Sequence, residues 1–258
     1  MNIKQTSESE TTNARPMLEA IDLTKRYEDG ILALDHVNFS VEKGQTYVML
    51  GANGAGKTTT INLFLNFIDP TEGEAKIEGV VSHEEPLKAK AKVAYVSENV
   101  MLYPNFTAIQ NLDFFTRLSG IKDCSIENYR SVLTRVGLPE ESHRKKLKDF
   151  SKGMRQKCGI AIAILQDAPA ILLDEPTSGL DPKAGREFID LLESLRDDGK
   201  AILMSTHDIF RAKEIADVVG IMNRGRLVMQ RTRRELEDEN LEKLYLNYMT
   251  GLVDVDSG

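Results

Sequence analysis

One stretch of the sequence matches the pattern G-x-x-x-x-G-K-[ST], which is typical of phosphate-binding loops. Glycines let the backbone curl and direct successive N–H groups at phosphate oxygens. The lysine can reach the outer phosphates, and the hydroxyl after it can ligate magnesium. The stretch predicts nucleoside triphosphate binding, the alternative being a glycine-rich turn before an ordinary helix. It runs Gly51-Ala52-Asn53-Gly54-Ala55-Gly56-Lys57-Thr58.

The elements on either side of this loop fit the motif. Residues 47–50 are apolar and predict a buried strand that runs into the loop, and residues 58–67 predict a helix that leaves it. The N-terminus of a helix carries partial positive charge, which favours phosphate at the same place. The order of strand, loop and helix therefore supports the phosphate-binding interpretation.

A second pair of chemically active residues, Asp174 and Glu175, follows the apolar residues 170–173. In an open α/β sheet, ligands bind beyond the carboxyl ends of the strands, where the phosphate loop also lies. One acid can hold magnesium and the other can orient or deprotonate an attacking water. The alternative is a solvated acidic pair in a turn, which the phosphate loop and the preceding strand make less favoured.

Composition limits the class of protein. The chain has 258 residues, 41% of them hydrophobic and 28% charged, which is ordinary for a globular protein. Its formal net charge of −7 argues against a dedicated nucleic-acid binder, and we expect no nucleic-acid partner. Cys124 and Cys158 have no metal-like spacing, which indicates reduced thiols in a cytosolic protein, with Cys158 packed on a helix. No apolar run is long enough to span a bilayer, and the polar N-terminus does not resemble a signal peptide.

The order of predicted elements indicates the fold class. Residues 17–23 and 33–40 alternate like half-buried strands and form an N-terminal antiparallel β portion. Strands at 93–96, 170–173 and 201–204 alternate with helices, which predicts a mixed, mainly parallel sheet flanked by helices, of the P-loop NTPase kind.

Helical signals interrupt this pattern at about 99–152. A capping box from Thr107 to Gln110 opens one helix and Ser125 caps a second, so we expect an inserted α-helical subdomain. Residues 1–16 are polar and aperiodic and predict a disordered tail before a main domain at 17–230. A second capping box, Thr232 to Glu235, predicts a charged helical tail over 231–258, with a terminal helix at 240–250.

Five ordered motifs over residues 17–230 resemble the ATP-binding subunit of an ABC transporter. The loop is the Walker A motif, and residues 171–176 resemble the Walker B strand with Glu175 as its catalytic glutamate. Residues 178–181 match the D-loop, His207 falls at the switch histidine, and Tyr27 falls at the aromatic that stacks on adenine. Taken alone, His207 is an ordinary surface histidine and Tyr27 a packing residue; the motif order favours the family roles.

Two motifs depart from the family pattern. The signature, usually Leu-Ser-Gly-Gly-Gln, reads Phe150-Ser151-Lys152-Gly153-Met154, and Glu98 stands where the Q-loop glutamine is expected. Lys152 either adds positive charge near a γ-phosphate or points to solvent. Both departures are similar to those of export-type bacterial members, whose membrane subunit is a separate chain.

The resemblance implies a mechanism and partners. ATP and Mg²⁺ are the cofactors: Tyr27, residues 51–59, Ser151 and Gly153 bind the nucleotide; Thr58, Asp174 and, as a third candidate, Glu98 hold the metal. Glu175 acts on the attacking water and His207 on the γ-phosphate. The loop residues concerned are Gly51, Ala52, Asn53, Gly54, Ala55, Gly56, Lys57, Thr58 and Thr59.

In this family the signature of one subunit covers the ATP of another, so the resemblance implies a head-to-tail dimer with an identical or related subunit. An integral membrane permease is the other expected partner, and it would hold the cytoplasmic chain on the inner face of the cell membrane. Residues 102–106 would contact the permease, or their aromatics would be core of the helical subdomain.

Other functions compete with transport. ABC-type proteins of ribosomes carry two such units in one chain, whereas this sequence has one. The chromosome and repair kind needs a long coiled-coil insertion, and no sustained heptads lie between Lys57 and Ser151. A P-loop kinase or GTPase is supported by the loop alone, and no guanine-selecting Asn-Lys-x-Asp is present.

Overall fold

The computed structural model describes residues 15–121, 124–237 and 239–250. The strands are β1 (Leu18–Arg26), β2 (Leu32–Val41), β3 (Thr46–Leu50), β4 (Glu72–Ile77), β5 (Val80–Val81), β6 (Val93–Val96), β7 (Ala170–Asp174), β8 (Ala201–Thr206), β9 (Val218–Asn223) and β10 (Arg226–Thr232). The α-helices are α1 (Lys57–Phe64), α2 (Pro86–Lys90), α3 (Ala108–Leu118), α4 (Ile126–Arg135), α5 (Lys152–Leu165), α6 (Pro182–Asp197), α7 (Ile209–Ile215) and α8 (Leu241–Thr250).

The strands form two sheets. The first has the order β2-β1-β4-β5 and is antiparallel. The second has the order β10-β9-β3-β8-β7-β6, with parallel pairing from β9 to β6 and antiparallel pairing between β9 and β10. The predicted α/β class, with an antiparallel N-terminal part, a mainly parallel sheet and helices α3 and α4 between β6 and β7, is confirmed.

The central strands are buried on both faces, which explains their continuous apolar sequence. Along β3, Tyr47 and Met49 belong to a core shared with the first sheet and α1, whereas Val48 and Leu50 belong to a core shared with α5 and α6. Successive side chains of a strand point to opposite faces, so β3 joins the two cores. This double burial fixes the strand ends from which the site loops emerge.

Short sequence signals predicted the starts of α3 and α4. The Thr107 hydroxyl accepts a hydrogen bond from the Gln110 N–H at 3.2 Å, and the Gln110 side-chain oxygen accepts one from the Thr107 N–H at 2.9 Å. Ser125 caps α4, and Asp181 caps α6 with Pro182 in the first turn. The predicted capping box at Thr107 and the predicted cap at Ser125 are confirmed. Cys158 is buried on α5, as predicted, and burial raises the pKa of its thiol to about 12.

The predicted helix after Thr232 is wrong. The Glu235 carboxylate does accept hydrogen bonds from the Thr232 N–H and hydroxyl, both at 2.7 Å, but a turn follows instead of a helix. Thr232 is still paired with Val218 in the sheet, so the chain is leaving a strand at this point. The Asn240 side-chain oxygen accepts a hydrogen bond from the Lys243 N–H, and α8 begins at Leu241. The predicted terminal helix at 240–250 is therefore present.

Other boundaries differ by a few residues. Helix α1 ends at Phe64 and not at residue 67, because Asn66 adopts a left-handed backbone with φ of 46°. Helices α2 and α7 were not predicted; both are short, and α7 begins at Asp208, whose side chain accepts from two backbone N–H groups. The predicted disorder of residues 1–16 falls almost entirely on residues 1–14, outside the described residues.

Candidate functional site at the strand ends

Four neighbouring parallel strands deliver the predicted site residues to one edge of the sheet. Strand β3 leads into the glycine loop, β8 into His207, β7 into Glu175 and β6 into the segment with Glu98. Because parallel strands end at the same edge, residues far apart in the sequence meet there. A backbone hydrogen bond joins the glycine loop to the end of β8: the Gly51 N–H donates to the Thr206 carbonyl at 3.1 Å.

The loop has the conformation that its glycines permit. Gly54 and Gly56 have φ of 81° and 108°, in the region that side chains disfavour. A Cβ on Gly56 would lie 2.7 Å from the carbonyl oxygen of Ala33, which blocks substitution. Helix α1 begins directly after Gly56, so its free N–H groups face the loop. This cradle fits a phosphate chain.

Lys57 lies inside the loop. It is 5% exposed, and its ammonium donates to the carbonyl oxygens of Gly51 at 2.6 Å and Ala52 at 3.2 Å. The same nitrogen is 3.3 Å from Oε1 of Glu175. The motif lysine and the predicted catalytic carboxylate are therefore neighbours across the loop.

Thr58 and Asp174, both predicted metal ligands, are in contact. The Thr58 hydroxyl donates to Oδ1 of Asp174 at 3.2 Å, and Asp174 is 8% exposed. The hydroxyl of Ser205 donates to the same oxygen at 2.5 Å. A hydroxyl, a carboxylate, phosphate oxygens and water form a donor set that Mg²⁺ accepts. The described residues hold no cluster of three or more His, Cys, Asp or Glu suited to a metal, so Mg²⁺ would need oxygens from its phosphate ligand as well.

Glu175 is held in an unusual backbone position. Its φ is 48°, and its N–H donates to the Ser205 hydroxyl at 3.0 Å. Oε2 is 2.9 Å from Nδ1 of His207, whereas Oε1 is buried and accepts no hydrogen bond within the described residues. Lys57 is the charge partner of that oxygen. A carboxylate that is 13% exposed and has one oxygen held by His207 suits a group that binds or deprotonates water.

The signature residues lie at the start of α5. Ser151 is the N-cap and accepts from the Met154 N–H at 3.2 Å, and Gly153 is in the first turn. Neither lines the cleft around the loop of its own chain. Lys152, between them, has its ammonium 3.3 Å from Oε1 of Glu98, so it neither lies free in solvent nor stands unpaired.

Tyr27 lies beside the site. Its ring is 38% exposed, and the Lys25 ammonium is 5.4 Å from the ring centroid. The Tyr27 N–H donates to the carbonyl of Ile31, at the far side of the turn between β1 and β2. It is Ile31, not Tyr27, that contributes to the wall of the cleft. Stacking of Tyr27 on adenine stays a prediction.

A cleft of about 720 Å³ runs over these residues. It brings together most of the predicted nucleotide and metal residues with four that were not predicted. Those predicted are Asn53, Gly54, Ala55, Gly56, Lys57, Thr58, Thr59, Glu98, Asp174 and Glu175. Those not predicted are Ile31, Leu32, Ala33 and Arg224.

Two polar residues of the site, Ser205 and Arg224, were not predicted from the sequence. The predicted strand at 201–204 stops short of Ser205, but β8 extends to Thr206, and Ser205 is buried against Asp174. Arg224, at the tip of the β9–β10 hairpin, lines the cleft and has no ion-pair partner within the described residues. The next residue, Gly225, fixes this tip by donating to the Ala55 carbonyl at 3.0 Å. Asn-Arg-Gly signals a turn, and nothing in it signals phosphate.

Comparison with known proteins agrees with this geometry. Residues 34–178 match the family model described as ABC transporter, which is more than half of the 258-residue chain. The chain is 32% identical over 232 residues to the lantibiotic transport ATP-binding protein SrtF of Streptococcus pyogenes, covering 90% of this chain and 96% of that one. It is 36% identical over 226 residues to the bacitracin transport ATP-binding protein BcrA of Enterococcus faecalis, covering 87% of this chain and 72% of that one.

Among solved structures, the chain is similar to the dimeric, post-hydrolysis state of the ATP-binding cassette MJ0796 bound to ADP and Pi. The TM-score is 0.76 at 29% identity, with 84% of this chain and 99% of that chain covered. The chain therefore belongs to the ABC transporter family, and it is an ATP-binding cassette with ATPase activity. Among residues 15–121, 124–237 and 239–250, no helix is both long and apolar enough to cross a membrane.

Proposed function

We propose that the chain is the ATPase subunit of an exporter and works on a separate membrane-spanning permease. The observation that carries the proposal is the convergence of the glycine loop, Asp174, Glu175 and His207 at adjacent strand ends. The transport role is supported by the relatives, whose names assign them lantibiotic and bacitracin transport. No feature of the chain favours a ribosomal or DNA role.

The residue roles follow from the contacts. The loop N–H groups, Lys57 and Thr59 bind the phosphates, with Tyr27 on the adenine. Thr58 and Asp174 would hold Mg²⁺, which supplies charge neutralisation of the phosphates. Glu175 accepts the proton of the attacking water. His207 acts on the γ-phosphate, and its 2.9 Å contact also orients Glu175.

The other half of the site comes from a second subunit. Ser151 and Gly153 stand at the N-terminus of a 14-residue helix, which presents N–H groups and partial positive charge. Since they do not line the cleft of their own chain, we infer that they cover ATP bound by a partner. The dimeric state of MJ0796 supports such pairing, with an identical or a related subunit. ATP then acts as the contact between two head-to-tail subunits.

An exposed aromatic cluster is the proposed contact with the permease. Tyr103, Phe106 and Phe114 are 45%, 38% and 37% exposed, so they are not plain core of the helical segment. Their rings touch: the centroids of Tyr103 and Phe106 are 5.0 Å apart, and those of Tyr103 and Phe114 are 4.9 Å apart. Exposed aromatic groups of this kind mark protein interfaces. Attachment there would hold the chain on the inner face of the membrane.

Phe106→Glu tests the proposed function. We expect this variant to bind its permease at least roughly tenfold more weakly, because a charge would be buried in an apolar contact. The chain would be co-expressed with its membrane-spanning permease, and co-purification from detergent would be measured. ATP binding by the isolated variant should persist.

Leu246→Glu is the matched control. Leu246 is 58% exposed on α8, away from the aromatic cluster, so its variant should co-purify normally. If Phe106→Glu co-purified as well as the wild type, the docking surface would be wrong. If the wild type failed to co-purify and instead sedimented with ribosomes, the transport role would be wrong.

A further inference from the structure

Two of the residues that depart from the family pattern, Lys152 and Glu98, are in contact with each other. Lys152 replaces a glycine of the signature, and Glu98 replaces the glutamine of the Q-loop. In the fold, the Lys152 ammonium lies 3.3 Å from Oε1 of Glu98. The sequence separates the two residues widely, so the pairing is visible only in three dimensions. The positive charge of Lys152 is therefore next to the negative charge of Glu98.

A buried side chain holds the backbone on which this pair is built. Gln156 is fully buried, and its amide nitrogen donates to the carbonyls of Ser97 at 3.1 Å and Glu98 at 2.7 Å. Gln156 follows Lys152 by one turn of α5, so both side chains face the same loop. Helix α5 is thereby attached to the segment after β6 by a neutral contact and by a charged one.

The surroundings of Glu98 show why a cation is needed. A hydrogen bond from the Ser178 hydroxyl is the main cause that lowers the pKa of Glu98, and Lys152 lowers it further. Glu98 lies on the wall of the cleft that also contains Asp174 and Glu175, and its carboxylate pairs with the Lys152 ammonium. An isolated carboxylate there would repel the phosphates of a nucleotide. The ammonium of Lys152 offsets that charge.

We propose that Glu98 and Lys152 act as one neutral unit, in which Lys152 is a positioning residue that keeps the cleft wall compatible with nucleotide phosphates of the same subunit. This inference rests on the proposed function for its nucleotide. It assigns to Lys152 a role within its own chain, and it removes Lys152 from the groups that contact the γ-phosphate of the partner's ATP. Ser151 and Gly153 keep that contact through the helix N-terminus.

The test is a double-mutant comparison of nucleotide affinity. Lys152→Met keeps the aliphatic stem and removes the charge, and we expect it to weaken binding of ADP and ATP alike by roughly three- to tenfold. In the Glu98→Gln background the same substitution should change affinity less than about twofold, because no anion is left to offset. Lys152→Arg should restore binding. Equilibrium binding would be measured with EDTA present, so that metal coordination by Glu98 plays no part.

A matched pair provides the control. Lys92 and Glu78 form an ion pair whose side chains are 33% and 45% exposed, close to the 28% and 45% of Lys152 and Glu98. Neither Lys92 nor Glu78 lines the cleft, so Lys92→Met should leave both affinities at the wild-type value.

Two outcomes would overturn the inference. Loss of ATP affinity with unchanged ADP affinity would place Lys152 on a γ-phosphate. An equal loss in both backgrounds would show that Lys152 acts without Glu98. A different result would reject the proposed function. If Lys152→Met weakened nucleotide binding only when Glu98 is present, but the chain associated with no permease, the ion pair would be supported and the transport role rejected.

Discussion

Glu175→Gln is expected to bind ATP and to hydrolyse it on the order of 10²- to 10⁴-fold more slowly than the wild type. The substitution keeps the shape of the side chain and the contact with His207, but an amide cannot accept the proton of the attacking water. Because Lys57 loses a negative neighbour, ATP binding should be retained or slightly tightened.

The geometry makes this carboxylate hard to replace. Its backbone sits at φ of 48° and is held by Ser205, and Oε2 is directed at His207 at 2.9 Å. Asp174, the adjacent acid, is already occupied by the hydroxyls of Thr58 and Ser205. Glu98, the other carboxylate of the cleft, is paired with the Lys152 ammonium.

Steady-state phosphate release and equilibrium ATP binding would be measured on the same preparation. Glu187→Gln serves as the control. Glu187, on α6, forms an ion pair with Lys157, on α5, outside the cleft. This variant should hydrolyse ATP at the wild-type rate. Hydrolysis by Glu175→Gln at the wild-type rate would show that the assigned role is wrong.

Lys57→Ala has the second largest expected effect, loss of ATP affinity by on the order of 10- to 100-fold together with loss of ATP-dependent dimerisation. The ammonium is the buried cation of the loop, at 5% exposure, and phosphate oxygens would compete for it with the carbonyls of Gly51 and Ala52. Without ATP as the contact between subunits, the dimer has no closing ligand.

Sedimentation with and without ATP would measure the dimerisation. Because Lys57 also ties the loop together, Lys57→Arg is a useful second variant that keeps a cation in the cleft. Thermal unfolding of both variants separates a binding defect from a folding defect. A folded Lys57→Ala protein that dimerised with ATP as the wild type does would contradict the assigned role.

The fold was predictable where its determinants are local. Apolar residues 47–50 and 170–173 predict buried strands, and Thr107 and Ser125 predict helix starts, because each signal lies within a few residues of its effect. The site followed from the same strands, since adjacent parallel strands end at one edge of the sheet.

The rest depends on contacts between distant residues. The capping box at Thr232 formed its hydrogen bonds but started no α-helix, because β10 still held Thr232 in the sheet. Ser205 and Arg224 entered the site through the extension of β8 and through the hairpin's contact with Ala55. The pairing of Lys152 with Glu98 likewise had no local signal. The topology of the fold decides which distant residues meet, and the type of a single residue does not predict it.

The central claim is that two chains share each ATP site, and mixing two inactive variants tests it most directly. Lys57→Ala lacks a working loop, and Ser151→Asp keeps the helix cap while placing a carboxylate before the γ-phosphate. A mixed dimer has one site in which both halves are intact. We predict that each variant alone is nearly inactive and that an equal mixture recovers roughly a quarter of the wild-type ATPase rate, since half the dimers are mixed and each has one good site. No recovery at any ratio, from folded proteins, would contradict the shared site.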